Sequence, residues 1–303
     1  MKKVIGIDLG GTKINGGVVG ETGDIYKKMT IKTDGKSGKT AVIEGLSYLI
    51  RELKKGEIIE AIGLGSPGFI NTKEGKVLSV GGNIKGWPGT NIREVLSNDF
   101  PTIPIIVEND ANVAAICEQW LGAGKDLDSF VMITLGTGVG GGIWTSKGGI
   151  WNGNHFQGAE LGHSILYPNG RSCNCGQRGC VEKYISGSGI ETGYYEKTKQ
   201  KLKGVDIFQN SINDPICRKV VDEFTTDLSV FLITIKNIFD PEGIIIGGGV
   251  INSKEYWWEL AIEKFNDNCN DSGGVKIVPA KFLNDSGLIG AGKLALDYIQ
   301  ELK

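Results

Sequence analysis

Two stretches of this chain repeat one design. Val4–Val19 is VIGIDLGGTKINGGVV and Val131–Trp144 is VMITLGTGVGGGIW; each is an apolar strand, a Gly/Thr turn and a second strand. Asp8-Leu9-Gly10-Gly11-Thr12 aligns with Thr134-Leu135-Gly136-Thr137-Gly138. Turns of this kind suit phosphate, because glycine lets the main chain approach an anion while threonine and backbone N–H groups donate hydrogen bonds. Two copies imply duplicated domains gripping one polyphosphate from both sides, and so an enzyme that uses ATP.

A chain of 303 residues suits two domains of ordinary size. With 40% hydrophobic and 22% charged residues it has the balance of a globular protein. The formal net charge is -2 and no long basic run occurs, which argues against nucleic acid or a membrane surface as partner. Met1-Lys2-Lys3-Val4 leads straight into a strand, with too short an apolar run for a signal peptide. No apolar stretch approaches the roughly 20 residues needed to span a bilayer. The expected location is the cytoplasm. Many of the 47 glycines cluster at 10–17, 81–89, 136–149 and 247–249, a distribution expected of tight functional turns. Three of the six cysteines crowd into 173–180, which in a reducing compartment favours metal over disulfides.

The first half alternates strands and helices. Strands are expected near 4–9, 14–19, 25–33, 59–65 and 103–107. A helix is expected over 40–54, where Val42, Ile43, Leu46, Leu49, Ile50 and Leu53 form an apolar face, and another over 111–120. The second half restarts with the hairpin at 130–144, followed by a Cys-rich loop at 163–182 and helices including 215–239. Gly243–Val250 reads as a buried strand entering a glycine turn, and 287–302 as an amphipathic helix returning to the first domain. The expected class is α/β with mixed sheets. The expected division is a smaller N-terminal domain, 1–118 with 288–303, and a larger one, 119–287, carrying the Cys-rich loop.

Asp8 ends the first strand beside the Gly10-Gly11-Thr12 turn, where a carboxylate can hold Mg²⁺ directly or through water. Gly136-Thr137-Gly138-Val139-Gly140-Gly141 fits G-x-G-x-x-G, but a strand follows where a dinucleotide-binding turn needs a helix. Gly38-Lys39-Thr40 resembles the end of a P-loop, yet Thr33 stands where that motif requires glycine; a helix start with Thr40 near the cap explains it better. Glu108-Asn109-Asp110 leaves a strand and enters a helix. Asn109 or Asp110 can be a plain N-cap. Alternatively Asp110 is a general base for a sugar hydroxyl, kept ionised with help from the helix dipole.

His163 and Cys173-x-Cys175-x4-Cys180 supply one imidazole and three thiolates, the donor set of a closed tetrahedral zinc site. Four protein ligands leave no open position, so this zinc would be structural. Glu160 and Glu182 flank the loop, and a zinc-stiffened loop presenting two carboxylates suits hydrogen bonding to sugar hydroxyls. Cys117, Cys217 and Cys269 are expected to be ordinary thiols.

Together these residues resemble the ROK family of bacterial sugar kinases over nearly the whole chain. The most specific match is Glu160-x-Gly162-His163 followed by Cys173-x-Cys175-Gly176-x-x-Gly179-Cys180-x-Glu182. Asp8-x-Gly10-Gly11-Thr12, Ser66-Pro67-Gly68, Glu108-Asn109-Asp110-Ala111-Asn112 and Thr134-x-Gly136-Thr137-Gly138 complete the set. The resemblance implies an actin/hexokinase-like (ribonuclease H-like) duplicated two-domain fold with a central cleft. It implies transfer of the ATP γ-phosphoryl group to a hexose, usually at the 6-hydroxyl, with ATP, Mg²⁺ and structural Zn²⁺ as cofactors. Asp110 would be the base. Asn109, Glu160, His163 and Glu182 would bind the sugar, with Gly68 and Asn83 as further candidates. Gly10, Gly11, Thr12 and Lys13 would hold phosphates, as would Thr134, Gly136, Thr137 and Gly138. Gly247, Gly248 and Gly249 would lie against the adenosine. Asn83-Ile84-Lys85-Gly86-Trp87 looks like the Asn-x-x-Gly-Trp stretch of glucose-using members, so glucose is the expected substrate, with N-acetylmannosamine or another hexose as the alternative. Family members are often dimers or tetramers. Repressors of the same family carry a helix-turn-helix before the first phosphate turn, and Asp8 comes too early to leave room for one.

Overall fold

The computed structural model describes residues 2–79 and 84–302. The first hairpin forms as expected: β1 (Lys3–Leu9) pairs antiparallel with β2 (Lys13–Gly20), Leu9 facing Ile14 across the turn. β3 (Ile25–Lys32) follows, then α1 (Lys39–Lys54), which buries Val42, Leu46, Leu49, Ile50 and Leu53 on one face. α1 begins at Lys39 with Gly38 in the capping position and Thr40 two residues on, and no side chain caps it. The Lys39 amide instead donates to the Lys85 carbonyl. β4 (Ile62–Ser66), the short pair β5 (Phe69–Asn71) and β6 (Lys76–Ser79), α2 (Ile92–Asp99), β7 (Ile105–Asn109) and α3 (Asp110–Leu121) complete this part.

The second hairpin is β8 (Ser129–Leu135) and β9 (Val139–Thr145), with Leu135 facing Val139. β10 (Gly149–Ile150) follows, and then the Cys-rich loop, whose regular structure is one 3-10 turn at Leu161–His163. Four helices come next: α4 (Glu182–Ile185), α5 (Gly187–Thr198), α6 (Gly204–Asn210) and α7 (Pro215–Phe239). α7 begins with Asp214 as N-cap and Pro215 at the first position, where the missing N–H costs nothing. β11 (Gly243–Gly247), α8 (Trp258–Asn268), β12 (Lys276–Pro279) and α9 (Ser286–Glu301) finish the chain. No described helix is long and apolar enough to cross a membrane.

The chain divides into two units, 1–125 with 148–158 and 284–303, and 126–147 with 159–283. The short segment 148–158 belongs with the first unit. That segment carries Asn152, which is hydrogen-bonded to Glu108 and Asn112. The sheet of the first unit has the order β3-β2-β1-β4-β7, with β4 and β7 parallel to β1. Within the second unit the strands β9-β8-β11-β12 repeat the plan, with β11 and β12 parallel to β8. The duplicated hairpin is thus the start of a duplicated sheet.

Each unit has its own core. Around the first sheet pack Ile5, Ile7, Leu46, Leu49, Leu64 and Val107. The second centres on Phe208, Phe224 and Trp257, whose rings meet edge to face at 5.7 and 5.4 Å. Glycine has a second use that clustering in turns does not reveal. A Cβ on Gly63 in β4 would fall 1.8 Å from the Ala291 carbonyl oxygen, and one on Gly290 in α9 would fall 1.7 Å from that of Val113. Helix α9 therefore lies backbone to backbone on β4 and α3, an approach any side chain would block.

Candidate active site

In the first unit the parallel strands β1, β4 and β7 all end on one edge of the sheet, the usual place for chemistry in such sheets. Asp8 leaves β1 there, Ser66-Pro67-Gly68 leaves β4, and Asn109-Asp110 joins β7 to α3. The turn after β1 is closed by Gly10 N–H donating to the Lys13 carbonyl at 3.0 Å and is held from outside by the Thr33 hydroxyl on the Gly10 carbonyl at 2.7 Å. Gly11, Thr12 and Lys13 are exposed. Asp8 accepts a hydrogen bond from Asn15 Nδ2 at 3.3 Å, and Asn15 in turn accepts one from the Thr30 hydroxyl at 3.0 Å. Burial raises the Asp8 pKa, opposed by Asn15 and the Lys13 charge.

Asn109 is the N-cap of α3: its Oδ1 accepts the amides of Ala111 at 2.9 Å and Asn112 at 3.2 Å. Its Nδ2 donates to the Gly68 carbonyl at 3.0 Å, which ties the β4 turn to the start of α3. Asp110 is the first helical residue, and its Oδ1 also accepts the Ala111 amide, at 2.9 Å. Burial pushes its pKa up to about 7, with the nearby Asp8 carboxylate adding to the shift. The helix end does not win: desolvation and a like charge outweigh the amide bonds that favour the carboxylate.

Beneath this joint lies a polar network that the sequence did not single out. Glu108 is 4% exposed. Its carboxylate accepts the Asn109 amide at 2.7 Å, Asn112 Nδ2 at 3.0 Å and Asn152 Nδ2 at 3.1 Å. Asn112 Nδ2 also donates to Asn152 Oδ1 at 2.8 Å, and Asn112 Oδ1 is buried without a partner. Burial raises the Glu108 pKa against these bonds. Glu108 and Asn112 stood in the quoted motif, but nothing local marks Asn152. Asn83, a sugar candidate, lies outside the described residues.

In the second unit the β8–β9 turn is closed by Gly136 N–H on the Gly138 carbonyl at 2.9 Å. Thr134 is half-buried and Thr137 exposed. The N-terminus of α5 packs on the same turn, with Gly187 N–H donating to the Gly136 carbonyl at 2.8 Å and the Ser188 hydroxyl to that of Thr137 at 2.6 Å. Gly247 ends β11, and Gly248, with φ of 86°, brings the next turn against Leu135; a Cβ on it would meet the Leu135 backbone at 2.5 Å. Gly249 opens a 3-10 helix with open space where a side chain would stand. The structure thus brings Gly248 against the end of β8, beside the β8–β9 turn.

His163, Cys173, Cys175 and Cys180 converge, their ligand atoms all within 4.8 Å of one another. Cys173 Sγ is 3.7 Å from His163 Nδ1, and Cys175 Sγ is 3.6 Å from Cys180 Sγ. A tetrahedron with metal–ligand bonds of about 2.1–2.3 Å has edges of roughly 3.4–3.8 Å, so these separations and the S₃N donor set suit zinc. All six cysteines are free thiols. His163 Nε2 is turned to Glu160, 3.9 Å from its Oε2. Glu182 opens α4, and its Oε2 accepts the Val139 amide at 3.2 Å.

The model of the ROK family matches residues 4–298. A glucokinase of Thermotoga maritima is 34% identical, the match covering 98% of each chain. The crystal structure of a ROK hexokinase from Thermus thermophilus has a TM-score of 0.88 and 31% identity over 99% of both chains. A ROK family glucokinase from Streptomyces griseus, solved in complex with glucose and AMPPNP, has a TM-score of 0.85 and 28% identity over 97% of this chain and 99% of that one. The repeated sheets are accordingly those of the actin/hexokinase-like fold.

Proposed function

This chain belongs to the ROK family, and we propose that it is an ATP-dependent hexose kinase whose substrate is glucose. The observation that carries the reading is Asp110. It sits at the edge where β1, β4 and β7 end, next to the N-cap Asn109, with a pKa brought to about 7. A base in that range accepts a proton efficiently near neutral pH. As the O6–phosphorus bond forms and the bond from the γ-phosphorus to the β,γ-bridging oxygen breaks, Asp110 orients the 6-hydroxyl and takes its proton. Phosphoryl transfer has a loose transition state, so positioning and late proton acceptance are what the protein must supply.

In this reading the first unit contributes Asp8 to Mg²⁺ and Gly10–Lys13 to the phosphates, while Gly68, Asn83, Asn109 and Asp110 serve the sugar. The second contributes Thr134 and Gly136–Gly138 to the phosphates, Gly247–Gly249 to the adenosine, and Glu160, His163 and Glu182 to the sugar. The two units serve as the family's two domains. Zinc held by His163, Cys173, Cys175 and Cys180 supplies a structural cross-link. The spacing of the four ligand atoms supports this, as does the orientation of His163, whose Nε2 faces Glu160. The reading also takes the enzyme to be cytoplasmic, and to be a homodimer or tetramer; sedimentation of the purified protein tests the oligomeric state.

The decisive experiment is ADP release with Mg²⁺-ATP against glucose, mannose, fructose, N-acetylglucosamine and N-acetylmannosamine. A clear preference for glucose is expected. Preference for an N-acetylated sugar keeps the mechanism and replaces the substrate. No turnover with any sugar overturns the kinase reading in favour of a sugar-binding regulator.

A further inference from the structure

The Cys-rich loop has a second fastening besides its four metal-ligand residues, built on Arg171. The Nη1 of Arg171 donates to the carbonyls of Lys183 at 2.7 Å and Gly189 at 3.2 Å. Its Nε and Nη2 fork onto the two carboxylate oxygens of Glu196 at 3.1 and 2.6 Å. The guanidinium lies over the Tyr184 ring, 4.7 Å from its centroid. The main chain of the same residue is fixed as well. Its amide donates to the Tyr184 hydroxyl at 2.8 Å, and its carbonyl accepts the Gly179 amide at 2.8 Å.

These bonds meet on one weak element. α4 is a single turn of four residues that begins with Glu182. One turn cannot hold itself, because nucleating a helix fixes several residues for one hydrogen bond. Its carbonyls also need partners that the helix does not supply. Arg171 satisfies the Lys183 carbonyl and places a positive charge at the negative end of the turn. It then anchors that turn to α5 through Gly189 and Glu196, and to the loop through Gly179, the neighbour of Cys180. Beside the guanidinium is a cavity of about 280 Å³ lined by Tyr167, Arg171, Tyr184, Glu196, Glu223 and Asp227. Directed bonds, not close packing on all sides, therefore hold the side chain.

We propose that Arg171 is a positioning residue: it latches α4 to the Cys-rich loop and so fixes the place of the Glu182 carboxylate in the sugar site. The inference rests on the hexose-kinase reading for what Glu182 does, and on the bonds above for how it is held. Arginine is required because the latch uses a planar fork on Glu196 and two carbonyls at once. Lysine offers a point charge that cannot reach all three.

The test uses Arg171→Lys and Arg171→Ala in the full-length protein. Steady-state kinetics with glucose and Mg²⁺-ATP are combined with amide exchange of residues 179–186 followed by mass spectrometry. Both variants are expected to exchange these amides at least several-fold faster. Both are expected to raise KM for glucose about tenfold, with kcat within about threefold and KM for ATP unchanged. Arg171→Lys is expected to recover little, and Glu196→Ala, which removes only the fork, to fall between it and the parent. If Arg171→Ala fails to fold, Arg171→Lys and Glu196→Ala carry the test. Unchanged exchange and unchanged KM overturn the proposal, and so does a fall in kcat with KM unmoved. If the parent protein phosphorylates no hexose, the functional reading has failed and the exchange rates alone decide the latch.

Discussion

The Glu182 carboxylate accepts the backbone N–H of Val139 at 3.2 Å, and a Cβ on the intervening Gly138 would stand 2.3 Å from the same oxygen. The carboxylate assigned to the sugar thus rests on the turn assigned to phosphate, and glycine at 138 is what lets it in. Two features that the sequence separates by more than forty positions form one piece of the second unit.

Replacing Glu182 by alanine leaves the Val139 amide without its acceptor, a loss of about 1 kcal/mol of stability. Glu182→Gln keeps an acceptor oxygen and is expected to stay within about 0.5 kcal/mol of the parent. Both are expected to raise KM for glucose, since both remove a charged acceptor for sugar hydroxyls. Denaturant melts together with glucose titrations check this. Equal destabilisation by the two variants would show that the Val139 bond contributes nothing.

Asp110→Asn removes the base and keeps its shape. The expected loss in kcat is about 10²–10⁴-fold, with glucose affinity within roughly tenfold of the parent. Single-turnover kinetics and calorimetric glucose binding separate the two quantities. Equal losses in both would make Asp110 a structural residue.

The raised pKa of Asp110 carries a pH signature. Activity requires the carboxylate, so kcat/KM for glucose is expected to fall about tenfold per pH unit below about 7. Stability runs the other way. The folded pKa of about 7 lies above the ordinary 3.8, so the folded state favours protonated Asp110. That contribution is fully present below 3.8 and is lost as pH rises through about 7. Asp110→Asn is therefore expected to be more stable than the parent at pH 8, by about 1–2 kcal/mol, with the gap closing toward pH 4. Denaturation midpoints of the two proteins across that range test the sign.

Cys175→Ser removes a thiolate ligand from the four-residue cluster. The variant is expected to purify with less than half the zinc of the parent, to melt several degrees lower, and to bind glucose more weakly. Metal analysis of the purified protein is the check; full zinc occupancy in the variant would remove Cys175 from the ligand set.

Gly248→Ala puts a Cβ into the Leu135 backbone at a left-handed residue. A loss of about 2 kcal/mol or more is expected from clash and strain together. KM for ATP should rise more than KM for glucose, because the displaced turn is the one assigned to adenosine. Parallel titrations of the two substrates decide it.

Much of this plan was legible along the chain because it repeats with a local period. The hairpins at 3–20 and 129–145 and the helices at 39–54, 215–239 and 286–301 carry their apolar patterns within themselves. The ligand spacing of Cys173, Cys175 and Cys180 is equally local. The short β5–β6 pair and β12 escaped notice, because strands of three or four residues are set by their partners. That the Lys85 carbonyl, far along the chain, takes the amide at the start of α1 could not be read locally.

By itself the sequence determined the groups on offer: two glycine turns, Asp110 at a strand–helix joint, and three thiols with one imidazole in one loop. Only the tertiary structure decided how those groups are tuned. Asp110 owes its pKa of about 7 to burial and to Asp8. Glu108 is held by Asn152, and α4 by Arg171. Gly63 and Gly290 are needed for close packing and not for a turn. Burial, charge proximity and backbone approach are properties of distance in space, and a chain states those only after it has folded.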